Sequence, residues 1–397
     1  MLRLRHKIMQ AFHEVYHVCM LTCWVQITCS ADHNMSQNNG FVLVQPPTLT
    51  SNDCEGAGEA FRVTTDPIID QVCHTTPFKA DGDAWPASSH VPEFFGKPTY
   101  LTVSTQLHLE ALAASISRVY TIAPIFRAEP SQTHRHVSEF SMVEAEFAFC
   151  EELEDVMSFV EQSLKAIVSS LGTLAASEIS VFQDMQSKYG GHPLEDTSGR
   201  STSARPVDLI KLHASISSQT NVWARMTYSE AVKELESYIA FNTGRQIFSH
   251  PVGLGLSLQS EHEKWLAGTL VGGPLFVTDY PASLKPFYMR GSNGESSPQA
   301  SRENCKTVSC FDLLVPHVGE LVGGSLREER VDLLINAMDR QRIPRDSLEW
   351  YLDLRRYGSA PTGGFGLGFE RLVSWLTGFE NVRDCMPFPR AAGKILL

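Results

Sequence analysis

Residues 363–373 read Gly363-Gly364-Phe365-Gly366-Leu367-Gly368-Phe369-Glu370-Arg371-Leu372-Val373. Glycines in such a run let the backbone approach a bulky group closely, because no Cβ intervenes. They feed an apolar-periodic segment, Leu372, Val373 and Leu376, that predicts a helix. Arg371 then belongs at a strand-to-helix junction, where a helix N-terminus and a guanidinium can face one phosphate together. A second arginine stands upstream in Phe126-Arg127-Ala128-Glu129, and the chain has no P-loop. Two arginines on separate apolar elements predict a clamp on a nucleoside triphosphate. Gly366-x-Gly368-x-x-Arg371 is not a dinucleotide fingerprint, since the third glycine is missing and no acid follows at the required distance.

The 397 residues are 43% hydrophobic and 20% charged, enough chain for one large domain or two moderate ones. A net charge of -12 argues against broad nonspecific nucleic-acid binding and leaves room for a local basic groove. Nine cysteines, odd in number and irregularly spaced, predict reduced thiols and not a disulfide framework. No apolar run reaches the roughly 20 residues that span a bilayer. Residues 1–13 are basic and free of acids. They read either as an organelle transit peptide or as an amphipathic opening helix of the folded domain.

Strands are expected at Phe41–Gln45, Tyr100–Val103, Val119–Ile122, Phe140–Phe149, Phe276–Tyr280 and Phe311–Val315. A helical stretch runs from Gln106 to Ala114, and another from Leu153 until Gly172 stops it. Capping boxes at Thr227/Glu230 and Ser260/Glu263 start two more helices, and Ser325 with Glu328 opens a further one through Met338. Residues 173–225 are polar and serine-rich and read as a loose insertion, and residues 291–304 as a polar loop. Residues 18–37 show no period; Cys19, Cys23, Cys29 and His33 within them only weakly fit zinc spacing. The class is α+β, with a mainly antiparallel β-sheet flanked by helices.

Phe126-Arg127-Ala128-Glu129, with His134-Arg135-His136 and Glu139-Phe140, resembles motif 2 of the class II aminoacyl-tRNA synthetases, and Gly364–Arg371 resembles their motif 3. The stretches 50–59, 101–110, Lys285–Arg290, Phe311–Val315 and Gly319–Ser325 are similar to the asparaginyl-tRNA synthetases of bacteria and organelles. The resemblance runs from about Gly40 to Arg390. It implies a class II catalytic domain over residues 40–397, with an insertion at about 151–250, preceded by an aberrant motif 1 region at 1–39.

The resemblance also implies a chemistry: ATP and L-asparagine condense to asparaginyl-adenylate, and the asparaginyl group passes to the acceptor end of tRNA(Asn). Arg127 would neutralise both the amino-acid carboxylate and the α-phosphate. Glu129 would accept from the adenine amino group, Phe140 would face the purine, and Arg371 would hold the γ-phosphate above Gly366 and Gly368. His136, with His134 and Arg135, would touch the triphosphate or the tRNA end. Asp312 and Glu320 would hold Mg²⁺. Glu55, Gln106 and Glu144 would meet the substrate ammonium, and Arg327 its side-chain carbonyl. Aspartyl relatives carry a lysine where this chain has Leu109, so the site is expected to favour asparagine over aspartate.

The family carries an N-terminal OB-fold that reads the anticodon. This chain opens at Arg3-Leu4-Arg5, already similar to motif 1, and is expected to lack that barrel. Motif 1 forms the family's homodimer interface, and its interruption at 18–37 means that the resemblance does not carry dimerisation over. The resemblance places the protein in the mitochondrial matrix. Two other readings share this core: an ammonia-using asparagine synthetase or aspartyl-type ligase, and a truncated, inactive isoform.

Overall fold

The computed structural model describes residues 1–17, 40–51, 60–64, 93–130, 133, 135–175, 177–181, 184, 216, 218, 222–242, 246–292 and 307–395. Its strands are β1 (Val42–Leu43), β2 (Leu49–Thr50), β3 (Arg62–Val63), β4 (Thr99–Leu101), β5 (Arg118–Phe126), β6 (Glu139–Ala148), β7 (Ala224–Thr227), β8 (Leu275–Thr278), β9 (Cys310–Val315), β10 (Gly319–Leu326), β11 (Thr362–Gly368), β12 (Arg390–Ala391) and β13 (Lys394–Ile395). The α-helices are α1 (Leu2–His17), α2 (Gln106–Ile116), α3 (Leu153–Leu174), α4 (Tyr228–Phe241), α5 (Ser260–Trp265), α6 (Val331–Arg340), α7 (Glu349–Arg356) and α8 (Phe369–Thr377). One sheet runs β1-β5-β6-β11-β10-β9-β8-β7, with β12 and β13 attached at β6, and β2-β4-β3 form a small second sheet. Among the described residues only β1–β5 and β7–β8 pair in parallel, so the sheet is mainly antiparallel as expected.

Period-2 alternation fixes the two faces of this sheet. On β6, Val143, Ala145 and Phe147 enter the main core; on β11, Phe365 and Leu367 do; on β9, Phe311, Leu313 and Val315. Helices α1, α3 and α8 cover that face with Ile8, Phe12, Val160, Leu164, Leu372 and Leu376 among others. The opening residues are therefore a helix of the folded domain, its apolar stripe buried. Arg5 on α1 pairs with Glu370 at 2.8 Å, and Glu370 also accepts from the Ser141 backbone N–H at 3.0 Å. This pins the first turn of α8, and with it Arg371, to β6.

Several local expectations need correction. Gly172 does not stop α3, which runs to Leu174; a Cβ at Gly172 would meet nothing within 4 Å, so the site is open and the glycine only lowers propensity. Ser325 lies inside β10, and the following helix starts at Val331 after Arg330, because Ser325 is held in the ladder opposite Gly364. The cap of α5 is Gln259 with His262, one residue before the expected box, whereas Thr227/Glu230 caps α4 as read. Tyr100–Leu101 belongs to the small sheet. Within 173–225, Ala175, Ile179, Ile216 and Trp223 are core residues and Ala224 begins a strand that edges the main sheet, so these positions are not loose. The stretch 18–37, with its cysteines and His33, lies outside the described residues, as do Glu55, His134 and most of 185–221 and 291–304.

Candidate active site

The face opposite the core is built from a row of residues paired across four strands. Glu144 on β6 faces Gly366 on β11, Gly366 faces Gly323 on β10, and Gly323 faces Asp312 on β9. At about 4.8 Å between strands, the two carboxylates flank a glycine floor about 14 Å wide. The next row is Glu146, Gly364, Ser325 and Cys310. The glycines differ in what they accommodate. A Cβ on Gly364 would stand 1.9 Å from Glu146 Oε2, and one on Gly363 would stand 2.7 Å from Val156 Cγ2. Those two make room for the protein's own side chains, which corrects the reading of the whole run as space for a ligand. Gly366 and Gly323 are less crowded: a Cβ on Gly366 would stand 3.0 Å from Met142 Sδ, the end of a flexible side chain, and one on Gly323 would stand 3.3 Å from Glu320 Oε1.

At one end, Glu144 is buried and accepts from the Ser104 hydroxyl at 2.5 Å, from the Thr105 hydroxyl, and from the Thr105 backbone N–H at 3.1 Å. Burial pushes its carboxyl up, and these donors oppose the push. Gln106 follows at the start of α2, so Glu144 and Gln106 meet at one helix N-terminus. Beyond them Arg327 donates from Nε and Nη2 to the two oxygens of Glu146, both at 2.8 Å, and from Nη1 to Ser325 Oγ at 2.5 Å. Both members are almost completely buried. Leu109 does not reach this end, since it packs into a small apolar cluster with Ala113 and Val119.

At the other end, a β-bulge between Glu320 and Val322 sends both Leu321 and Val322 into the core and brings Glu320 to the face of Asp312. Asp312 Oδ1 and Glu320 Oε1 stand 3.7 and 3.3 Å from where a Cβ on Gly323 would be. The glycine leaves a cradle between two carboxylates that a methyl would fill. Asp312 is bound by Lys285 Nζ at 2.7 and 2.8 Å, and Glu320 by Arg371 Nη1 at 3.3 Å. Burial opposes ionisation of Glu320, yet Arg371, Lys285, Arg135 and Arg127 hold its carboxyl down to about 2. Among the described residues no three metal-binding side chains converge. A hard cation would take most of its oxygens from substrate phosphates, the pattern of Mg²⁺ sites, and the pair fits that role.

Between the ends lie the two arginines singled out by sequence. Arg127 follows β5, its guanidinium 5.8 Å from the Phe140 ring centroid and 3.8 Å from Glu129. His136 Nε2 lies 3.4 Å from Glu129, and burial lowers its pKa. Arg371 leaves the first turn of α8 and donates to the Glu320 carbonyl oxygen at 2.9 Å. Arg135 donates to Glu263 at 3.0 Å, and Glu263 accepts from the Glu320 N–H at 3.1 Å. The structure thus gathers Arg127, Arg135, Arg371 and Lys285 around Glu320 beside the glycine floor, each paired with an acid: Glu129, Glu263, Glu320 and Asp312 respectively. Sequence reasoning gave no role to Glu146 or Lys285 and read Glu263 only as a capping-box residue. Glu146 carried a signal, because it shares the β6 face with Glu144.

A family model described as tRNA synthetases class II (D, K and N) matches residues 1–392. The asparagine–tRNA ligase of Synechocystis is 41% identical over 361 residues, covering 91% of this chain and 68% of that protein. The mitochondrial asparagine–tRNA ligase of Saccharomyces cerevisiae is 42% identical, covering 90% of this chain and 65% of that protein. Among solved structures, asparaginyl-tRNA synthetase from Pyrococcus horikoshii complexed with asparaginyl-adenylate superposes with a TM-score of 0.70 at 27% identity, covering 99% of this chain and 69% of that one. The chain spans 65–69% of the length of these three relatives. Among the described residues no helix is long and apolar enough to cross a membrane.

Proposed function

Since the chain belongs to the class II tRNA synthetases (D, K and N), among the asparagine–tRNA ligases, we propose that it activates L-asparagine with ATP and passes the asparaginyl group to the acceptor end of tRNA(Asn). The observation that carries this reading is the glycine floor, with Glu144 at one edge, Asp312 and Glu320 at the other, and arginines above. One edge suits an ammonium and the other a charged phosphate chain.

The asparagine ammonium binds Glu144 and Gln106. Its side-chain carbonyl accepts from the outer edge of Arg327, and its amide N–H donates to Glu146. The α-carboxylate then lies toward Arg127, which bridges it to the α-phosphate with a planar fork and cancels the repulsion of two anions. A carboxylate oxygen attacks the α-phosphorus, the bond to the bridging oxygen breaks, and its electron pair leaves with pyrophosphate. No base is needed, because the nucleophile is already ionised. Phe140 and Glu129 hold the adenine, His136 lies beside the phosphates, and Arg371 holds the γ-phosphate over Gly366 and Gly368. Asp312 and Glu320 would hold Mg²⁺, which when bound offsets charge on the departing pyrophosphate. In the second step a ribose hydroxyl of the tRNA end attacks the adenylate carbonyl and AMP leaves.

Mitochondrial location rests on the similarity to the yeast mitochondrial ligase, and cell fractionation tests it. Asparagine-dependent ATP–pyrophosphate exchange tests the activity. Exchange with asparagine supports it, and a folded chain without exchange overturns it. Formation of asparagine from aspartate and ammonia would instead support the synthetase reading.

A further inference from the structure

A second buried ion pair lies behind the asparagine end of the floor and takes no part in the reaction derived above. Glu110 on α2 and Arg355 on α7 are 5% and 8% exposed. Arg355 Nη2 donates to Glu110 Oε2 at 2.5 Å, and its Nε donates to the Glu328 carbonyl oxygen at 3.1 Å. The Tyr351 hydroxyl approaches both Glu110 oxygens at 2.9 and 2.7 Å. Glu110 Oε1 also accepts from Gln106 Nε2 at 3.1 Å and lies 4.0 Å from Arg327 Nε. A cavity of about 50 Å³ touches Glu110, Arg327 and Arg355 from behind.

The four groups Glu110, Glu146, Arg327 and Arg355 sum to zero formal charge. Their neighbours balance as well, Arg290 with Glu329 at 3.4 Å and Arg330 with Glu328 at 2.7 Å. Burial and the Glu110 carboxylate both push the Glu146 carboxyl up, while Arg327 and Arg355 hold it down. In such a low-dielectric setting, net charge decides what can be added. A neutral amide leaves the balance at zero. A carboxylate in its place adds an uncompensated negative charge beside Glu146, whose arginine is already engaged through Nε and Nη2.

We infer that Glu110 and Arg355 are positioning residues that set the choice of asparagine over aspartate by keeping the charge beneath the substrate side chain at zero. The inference rests on the asparagine-activating reading of the site. It makes the specificity a property of a tertiary charge pair and not of Leu109, which faces the apolar cluster.

The test is ATP–pyrophosphate exchange on the full chain, with kcat/KM for asparagine and for aspartate. Glu110→Gln leaves one excess positive charge and is expected to lower the asparagine-to-aspartate ratio about tenfold or more, with the KM for ATP unmoved. Arg355→Gln leaves one excess negative charge and is expected to raise the ratio. The double variant Glu110→Gln/Arg355→Gln restores neutrality and is expected to return it toward the starting value. Tyr351→Phe removes hydrogen bonds without changing charge and is expected to leave the ratio where it is. An unchanged ratio in folded Glu110→Gln overturns the inference. So does a shift in Tyr351→Phe equal to that of Glu110→Gln. If Glu110→Gln does not fold, a lowered ratio in Arg355→Gln overturns it. Failure of the underlying reading is distinct, since the unaltered chain would then show no exchange with asparagine.

Discussion

Gly364 lies directly opposite Glu146 in the β6–β11 ladder, and a Cβ on that glycine would stand 1.9 Å from Glu146 Oε2 and 2.5 Å from the Ala145 carbonyl oxygen. The glycine is there so that a buried carboxylate can lie flat against the sheet and take both Arg327 donors. Gly364→Ala must therefore displace Glu146 or the backbone. We expect a loss of about 3 kcal/mol in guanidinium unfolding and a raised KM for asparagine. Unchanged unfolding together with an unchanged KM would contradict the packing argument.

In the proposed function Arg127 and Arg371 serve the phosphates, and neither is part of the apolar core. Arg371 contacts the partly exposed Glu320, which keeps Lys285 and Arg135 in its field when Arg371 is removed. Alanine at either position is expected to lower asparagine-dependent exchange by about 10² to 10³, with circular dichroism and melting temperature close to those of the unaltered chain. An exchange rate within a few-fold of the original would remove that arginine from the clamp.

Glu320 gives a pH signature. Burial disfavours its charge, but Arg371, Lys285, Arg135 and Arg127 bring its carboxyl down to about 2 from 4.5. The unfolded chain then binds more protons than the folded one between those values. The stabilisation from Glu320 is present above about 4.5 and is lost as pH falls toward 2. Glu320→Gln should flatten the fall of stability in that window, measured by urea unfolding from pH 5 down to pH 2.5. An identical slope in the variant would mean that the four cations do not act on Glu320 as described.

Cys150, Cys310 and Cys385 are buried free thiols, each pushed up to about 12 by burial. Because the thiolate is the reactive form, iodoacetamide at pH 8 should leave all three unlabelled in the native protein and label them after denaturation. Mass mapping reads this directly, and rapid native labelling at Cys310 would place it outside the sheet core.

The strands that carry the site were legible from their residue pattern, whereas the roles of Glu144, Asp312, Glu320 and Arg327 rested on the resemblance. The glycine run, the strand read at Phe140–Phe149 and the Thr227/Glu230 cap all depend on residues close in sequence, and all three formed. What escaped reading depends on tertiary pairing. Glu320 reaches Asp312 only through a bulge, which inverts the parity that simple alternation would assign. Glu110 and Arg355 are 245 residues apart in sequence, and neither carries a local pattern. Ser325 and Glu328 fit a capping box, but a strand partner on each side of Ser325 outweighs one local cap. The sequence expectation at Leu109 rests on the lysine that aspartyl relatives carry there; in the fold α2 turns Leu109 toward Val119 and Glu110 toward Arg355.

The central claim is that the glycine floor, with Arg327 and Glu146 at one end and Arg371, Asp312 and Glu320 at the other, activates asparagine. Amino-acid-dependent ATP–pyrophosphate exchange on the purified chain, run side by side with asparagine and aspartate, tests it most directly. The account expects exchange with asparagine and at least about tenfold less with aspartate. A folded chain that exchanges with aspartate alone, or with neither amino acid, would contradict it.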